Sequence, residues 1–407
     1  MQHVTYPPFK AATCPACGHH IAVPFFDGGA QPLATLSWPN STEEALALPR
    51  LPLDFVRCVD CGHVFNAAFD YAHVPYSEKP NLMFNRAINW SRFLLDLRAD
   101  LMAHLPAAPV AVEIGHGDGS FLQALAELRP EGRYVGFDPH GATRATGNPQ
   151  FRAEFFDPAS HLVDLRPDMI VSRHVLEHLV NPLGFLQGLS FSAGLSGVAP
   201  LAYFEVPCID KALESRRTVD FYYEHSSQFT TESFTRMLSR TGAEVIKIGH
   251  GYGGEVIYAF VRLGTSPDRL ALASESRSFL EDTNRSLATV TEQLAALHRA
   301  GKTVAIWGGT GKSAAFTCRY GVDRERFPLV VDSDQAKVGT FVPGTGQEIR
   351  FRDALAQSPV DVVIIPPQWR AADIVAEMER HGLSAGQILI EHQGRLVDFH
   401  ADPHPYR

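Results

Sequence analysis

The stretch VEIGHGDGSF (112–121) constrains this chain more than any other. An apolar run, APVAVEIG, enters a turn carrying Gly115, Gly117 and Gly119, and a helical pattern, FLQALAELRP, leaves it and closes at Pro130. Strand, glycine turn and helix in that order open a Rossmann-like unit, where glycines let the backbone approach a ligand closely. RYVGFDP is a second strand ending in Asp138, and DMIVSRHVLEHL reads as a strand running into a helix. LAYFEVP is another strand, and EVIKIGHGYGGEVIYAFVRL reads as two final strands joined by a Gly-rich connection. Strands alternating with helices predict an α/β fold with a parallel, doubly wound sheet over residues 109–265.

Glycine spacing and acid placement select the ligand. A dinucleotide turn carries G-x-G-x-x-G, whereas here position 118 is Asp and position 120 is Ser. Glu113 sits inside the first strand, two residues before the first glycine, where it can engage the amino-acid end of S-adenosylmethionine. Asp138 is placed to hydrogen-bond the ribose hydroxyls. Asp157, in AEFFD, falls where a third strand would end, near an adenine. These features predict a class I methyltransferase domain with S-adenosylmethionine as cofactor, in preference to a Rossmann unit that binds nothing.

Four of the six cysteines form two pairs, Cys14/Cys17 in CPACGH and Cys58/Cys61 in CVDCGH. Each pair puts two thiolates on one tight turn, and two such knuckles make a tetrahedral set suited to a structural Zn²⁺ with no open position. The 40 residues between the pairs make a long insertion for a zinc ribbon. A redox role would need only one pair in a βαβ context, and this region reads as Pro-rich and loop-like. His19, His20 and His63 are adjacent alternative ligands. Cys208 and Cys318 stand alone.

The chain therefore reads as a zinc module (1–75), a connector with an amphipathic helix (76–108), the methyltransferase domain (109–265), a polar helical linker (266–300) and a smaller Rossmann-like domain (301–407). A net charge of −9 argues against binding duplex nucleic acid by phosphate neutralisation. No apolar run is long enough to span a membrane, and the N-terminus lacks a signal-peptide core. A cytoplasmic protein acting on a small molecule, monomeric or homodimeric, is the expectation.

Taken in order, the paired CxxCG knuckles, GAQPLA (29–34), VEIGHGDGSF, SRHVLEHLVNP (172–182), YFEVP (203–207), FYYEHSSQFT (221–230) and WGGTGKSAAF (307–316) give the chain a resemblance to the sugar carbon-methyltransferases of deoxysugar biosynthesis. The resemblance covers essentially the whole chain. It implies three parts: an N-terminal zinc domain, a central S-adenosylmethionine domain and a C-terminal Rossmann-like domain. It also implies a nucleotide-linked keto-deoxysugar as substrate. Tyr222, Glu224 and His225 would line the sugar site with His178 across from them, and Tyr76 would enter from the segment after the zinc module.

Carbon methylation needs a carbanion equivalent, and a 4-keto sugar offers one because its carbonyl acidifies the proton at carbon 3. His225 is the expected base, with Glu224 orienting it or binding a hydroxyl. Tyr222 or His178 would donate to the enolate oxygen. His174 and His178, four apart, would share a helical face, with His174 grouped with the cofactor residues. The H-x-x-E-H string also occurs in zinc peptidases, but here it follows a Rossmann strand.

GGTGKS resembles a phosphate loop, yet the position five before Gly311 is Ile306 instead of the required glycine. The turn could still bind a nucleotide diphosphate through Gly308, Gly309, Lys312 and Ser313, or only shape packing. YSEKPNLMFNRAINW brings in Asn81, Asn85 and Trp90, and HSSQF (225–229) lacks the usual aromatic ending. These departures keep two other readings open. One is oxygen or nitrogen methylation of a natural product or of a non-sugar nucleotide-linked acceptor. The other is a non-catalytic scaffold, for which Glu113 and Asp138 would have no use.

Overall fold

The computed structural model describes residues 8–74, 85–141 and 147–407. The chain divides into two units, 1–270 and 271–407.

The first unit opens with an antiparallel meander: β1 (Lys10–Ala11), β2 (Ile21–Gln31), β3 (Leu51–Cys58) and β4 (Val64–Asn66). This region is a sheet where the sequence suggested loops. The alternation in LPLDFVRC explains it, since Leu51, Leu53 and Phe55 are buried with Pro52 and Asp54 between them on the other face. The short helix α1 (Thr42–Ala47) lies between β2 and β3, capped by Ser41 Oγ accepting from Glu44 N–H at 3.1 Å. The cysteine knuckles follow β1 and β3. Gly18 and Gly62 close them at φ +78° and +74°, a region that a Cβ disfavours.

Helix α2 (Ile88–Ala103) leads into β5 (Val110–Ile114), α3 (Ser120–Leu128), β6 (Arg133–Phe137) and β7 (Gln150–Arg152). After these come α4 (Pro158–Leu165), β8 (Met169–Arg173), α5 (Pro182–Ser196) and β9 (Leu201–Pro207). The unit continues through α6 (Asp210–Ser215), β10 (Ser227–Gln228), α7 (Thr231–Ser239), β11 (Glu244–Gly251) and β12 (Val256–Arg262). The seven-stranded sheet has the order β11-β12-β9-β8-β5-β6-β7. It is parallel from β9 to β7, and the antiparallel β11/β12 hairpin is the expected pair of final strands. One expectation fails locally. After β8 the backbone turns left-handed at His174 (φ +53°), and Leu176–His178 make a single 3₁₀ turn. His174 and His178 therefore do not share an α-helical face.

The expected zinc module and the methyltransferase domain are also less separate than their predicted borders. Strand β10 joins the N-terminal sheet beside β4, with Ser227 opposite Phe65 and Gln228 opposite Val64. Cys14, Cys58, Cys61 and Phe65 share one buried core with Leu183, Val206, Phe229 and Phe234. The connector belongs to the same unit: α2 buries Leu97, Leu101 and Met102 against Ala111, Val171 and Tyr203 of the sheet.

Helix α8 (Pro267–Arg299) occupies the predicted linker, and its later turns bury Val290 and Leu294 in the core of the second unit. That unit contains β13 (Val304–Trp307), α9 (Lys312–Tyr320), β14 (Leu329–Asp332), β15 (Ile349–Phe351) and α10 (Ala354–Gln357). It ends with β16 (Val360–Ile364), α11 (Ala371–Arg380), β17 (Ala385–His392) and β18 (Arg395–Asp398). The strand order is β15-β14-β13-β16-β17-β18, parallel except for the last pair, which is the smaller Rossmann-like domain that the sequence predicts.

Phe229 is fully buried, with its ring 4.8 Å from His63 and 5.8 Å from Phe234. Phe229→Ala should cost about 3–5 kcal/mol. In urea unfolding followed by circular dichroism, the N-terminal sheet and the methyltransferase sheet should lose that stability together, because they share the core.

Candidate active site

The glycine turn follows β5, and its three glycines, Gly115, Gly117 and Gly119, all have positive φ. At Gly115 the requirement is also spatial, since a Cβ there would lie 2.4 Å from Val175 Cγ2. The turn is tied to the next strand: Gly115 N–H donates to Phe137 O at 2.8 Å and Gly117 N–H to Asp138 Oδ2 at 3.0 Å. Asp138 thus sits at the end of β6 facing the glycine turn, and its other oxygen accepts from His140 N–H at 2.9 Å. Glu113 is 3% exposed, and Oε2 accepts no hydrogen bond among the described residues. Burial pushes its carboxyl up to about 8, against the pull of Arg173.

Asp157 takes a different place from the one expected. It is exposed and caps α4, with Oδ1 accepting from Ala159 N–H at 3.1 Å and Oδ2 from the Ser160 hydroxyl at 2.6 Å. Its carboxylate caps the helix terminus in this structure.

Below the turn lies a buried ionic network that the sequence did not announce. Arg173 pairs with Glu205 through Nε and Nη2, both at 3.0 Å, and its guanidinium lies 4.4 Å from the centre of the Phe121 ring. His174 lies 3.0 Å from Glu205 Oε1 and 3.3 Å from Glu177 Oε1. Burial opposes its charge, but the contacts with Glu177 and Glu205 outweigh burial and lift it to about 9, so His174 is an imidazolium. Burial works against ionisation of Glu205 too, and Arg173 and His174 overcome it and hold the carboxyl at about 2. Trp90 of α2 packs against His174 at 5.9 Å and edge-on to Tyr252 at 5.0 Å, while Asn85 Nδ2 donates to Tyr252 Oη at 3.0 Å. The signal for Arg173 and Glu205 was available as charged residues at the ends of two apolar strands.

The segment Phe221–Thr230 crosses from the Rossmann sheet to the N-terminal sheet and carries the predicted catalytic residues. Tyr222 Oη and His225 Nε2 are 2.7 Å apart. The His225 ring stands edge-on to His178, with centroids 4.8 Å apart. Burial, then the charges of His178 and His174, push His225 well below the usual histidine range, which keeps it neutral. Burial, then Glu177 and Glu224, raise Tyr222, which keeps its proton. His178 Nδ1 lies 2.8 Å from the Glu224 carbonyl. A carbonyl only accepts, so Nδ1 bears the hydrogen in this contact.

Glu224 corrects an expectation. Its side chain does not orient the His225 imidazole. It is fully buried and accepts from the N–H groups of Ala34, Thr35 and Leu36 at 3.1, 2.7 and 3.1 Å, and from Thr35 Oγ1 at 3.1 Å. These contacts fix the stretch Ala34–Leu36 to the segment that carries Tyr222 and His225. Tyr76 lies outside the described residues.

The four cysteine sulfurs lie within 4.8 Å of one another, with Cys14–Cys61 and Cys17–Cys58 both at 3.6 Å. A tetrahedron of Zn–S bonds of about 2.3 Å has edges of about 3.8 Å, so the cluster fits a zinc ion with little movement. His63 is buried beside it, and burial pushes it down to about 3, while its Nδ1 faces Ser233 Oγ at 3.5 Å. The sulfur cluster does not include it. In the second unit, Gly309 N–H donates to Asp332 Oδ2 at 3.3 Å, and Lys312 Nζ stands 3.6 Å from the centre of the Trp369 ring.

Comparison with known proteins matches most of the chain in two stretches. Residues 85–248 match a methyltransferase domain family, and residues 268–391 match the C-methyltransferase C-terminal domain. The chain is an S-adenosylmethionine-dependent methyltransferase whose second unit is similar to the C-terminal domain of C-methyltransferases. It is 25% identical to C-methyltransferase NovU of Streptomyces niveus over 403 residues, covering 92% of this chain and 93% of that protein. Among solved structures it is similar to a SAM-dependent methyltransferase from Aquifex aeolicus, with TM-score 0.33 and 14% identity over 42% of this chain and 93% of the other. It is likewise similar to the magnesium protoporphyrin IX methyltransferase of Synechocystis with bound SAH, with TM-score 0.33 and 16% identity over 44% of this chain and 84% of the other. No described helix of this methyltransferase is long and apolar enough to cross a membrane.

A carboxyl at about 8 is protonated at pH 7 in the free enzyme. An ammonium group bound beside Glu113 would favour the ionised form and lower that value. Binding of S-adenosylmethionine should then release close to one proton at pH 7, and affinity should rise with pH up to about 8 and level off above it. Calorimetry in two buffers of different ionisation enthalpy measures the release, and Glu113→Gln should abolish it.

Proposed function

We propose that this enzyme methylates carbon 3 of a nucleotide-linked 4-keto-deoxysugar. The observation that carries the reading is the Tyr222–His225 contact of 2.7 Å beside His178, a neutral base and a protonated donor within reach of one small molecule. The name of the NovU relative supports carbon as the methylated atom. S-adenosylmethionine supplies an electrophilic methyl group, and Glu113, Gly115, Gly117, Gly119 and Asp138 are the residues suited to hold it, with His174 and its ionic partners beneath.

In this reading His225 Nε2–H donates to the Tyr222 oxygen, so Nδ1 carries the lone pair that removes the proton from carbon 3. The C–H electrons move onto the carbonyl oxygen, where Tyr222 O–H donates to the developing charge. The enolate carbon then attacks the methyl in line, and the C–S bond breaks as the C–C bond forms. Glu224 acts at a distance, by keeping the segment and its backbone carbonyl in place.

Incubation with nucleotide-linked 4-keto sugars in deuterated water tests the reading. Solvent deuterium should enter carbon 3 without the methyl donor, and a labelled methyl should appear there with it. His225→Ala should reduce both by at least a hundredfold. A methyl found on oxygen or nitrogen would overturn it. For the cysteine cluster, which we assign to structural zinc, Cys17→Ser should remove the zinc equivalent found by elemental analysis and lower the melting temperature of the first unit.

A further inference from the structure

Glu177 has a second set of neighbours besides His174. It is 1% exposed, and among the described residues neither carboxylate oxygen accepts a hydrogen bond, although His174 lies 3.3 Å from one of them. A buried carboxylate normally collects donors, because it has given up its water. Here one of its oxygens, a ring nitrogen of His178 and a ring nitrogen of His225 all lie within 4.8 Å of one another.

The surroundings of the two histidines fit the same purpose. A histidine that binds a metal through one nitrogen almost always donates its other N–H to a carbonyl or a similar acceptor, which fixes the ring and the tautomer. His178 Nδ1 faces the Glu224 carbonyl at 2.8 Å, which leaves Nε2 as the nitrogen that can turn to a metal. That carbonyl is itself held in place, since the Glu224 carboxylate is anchored by three N–H groups. His225 has the matching arrangement through Nε2 and Tyr222 Oη at 2.7 Å, with Nδ1 as the remaining nitrogen. Two imidazoles and one carboxylate make the donor set of an open zinc site, in which the fourth position takes water or a ligand oxygen. Imidazole and carboxylate together suit Zn²⁺, Co²⁺ or Ni²⁺ better than Mg²⁺ or Ca²⁺. The four-thiolate cluster is a different kind of site, closed by its own ligands.

We propose that Glu177, His178 and His225 form a second, open site for a divalent transition-metal ion, and that an ion bound there stops methyl transfer by occupying the lone pair of His225. The first half stands on geometry alone, and the second rests on His225 as the base. One lone pair cannot both coordinate a metal and accept a proton. The ion is therefore a reversible brake whose release restores the enzyme.

The test uses the full-length protein with its cysteine cluster already loaded with zinc. Titration with Co²⁺ should add one equivalent per chain. Its visible d–d bands should appear without the near-ultraviolet thiolate band that exchange into the cysteine cluster would give. Glu177→Gln and His178→Gln should each weaken this binding at least tenfold while leaving the cluster's zinc in place. X-ray absorption of the wild-type cobalt form, with nitrogen and oxygen scatterers and no sulfur, gives the same answer where a variant does not fold. One equivalent of Zn²⁺ should slow deuterium exchange at the acceptor carbon at least tenfold, and a chelator should restore it. Absence of the second equivalent, a sulfur shell around it, or equal binding by both variants overturns the site. Binding that leaves exchange unchanged or accelerates it overturns the brake, and the exchange rate of His225→Ala without metal then judges the base reading separately.

Discussion

The buried carboxylate of Glu224 holds the first unit together at its most consequential point. A charge taken out of water is tolerated only where donors replace the water, and here three consecutive backbone N–H groups and one hydroxyl do so. Those donors belong to the loop after β2, while Glu224 sits 190 residues further on, beside both histidines of the site. The interaction therefore joins the N-terminal sheet to the segment that carries Tyr222 and His225. Backbone N–H groups have no rotamers, so the tether transmits position well. The carbonyl of the same residue orients His178, so one residue serves the scaffold through its side chain and the site through its backbone.

The second organising feature is electrical. Arg173 and His174 are positive, and Glu177 and Glu205 are their negative neighbours, all within a few ångströms and largely out of solvent. Such a network is costly to assemble and rigid once assembled. Burial leaves Glu113 uncharged near neutrality, with Arg173 pulling the other way, and burial followed by the charges of His178 and His174 keeps His225 from taking a proton out of solution. Glu113 and His225 thus owe their protonation states first to burial, and the neighbouring charges only adjust them.

The order of strands, the glycine turn, the cysteine cluster and the second Rossmann-like unit were legible because each is local: a period, a spacing or a dipeptide decides it. What was not legible is long-range. Glu224 reads as a catalytic acid beside a histidine, and its partners 190 residues earlier are backbone groups that no side-chain pattern reveals. His174 and His178 look like helical neighbours, but the left-handed residue at 174 removes the helix that would align them. Asp157 reads as a third-strand acid because the strand ends early, at Arg152, and the residues after it start a helix that Asp157 caps. The proline-rich N-terminal segment hid a sheet because its alternation is clear in only one strand, β3.

The two-residue strand β10 has a consequence for how the chain is made. All four cysteines and the first four strands lie within residues 10–66, yet the strand that completes their sheet, and Phe229 and Phe234, which close over the thiols, come more than 160 residues later. During synthesis the thiols emerge long before their cover does. The N-terminal sheet stays incomplete at its β4 edge until most of the methyltransferase domain has left the ribosome, so the cysteine cluster closes only after the segment that carries β10 is made.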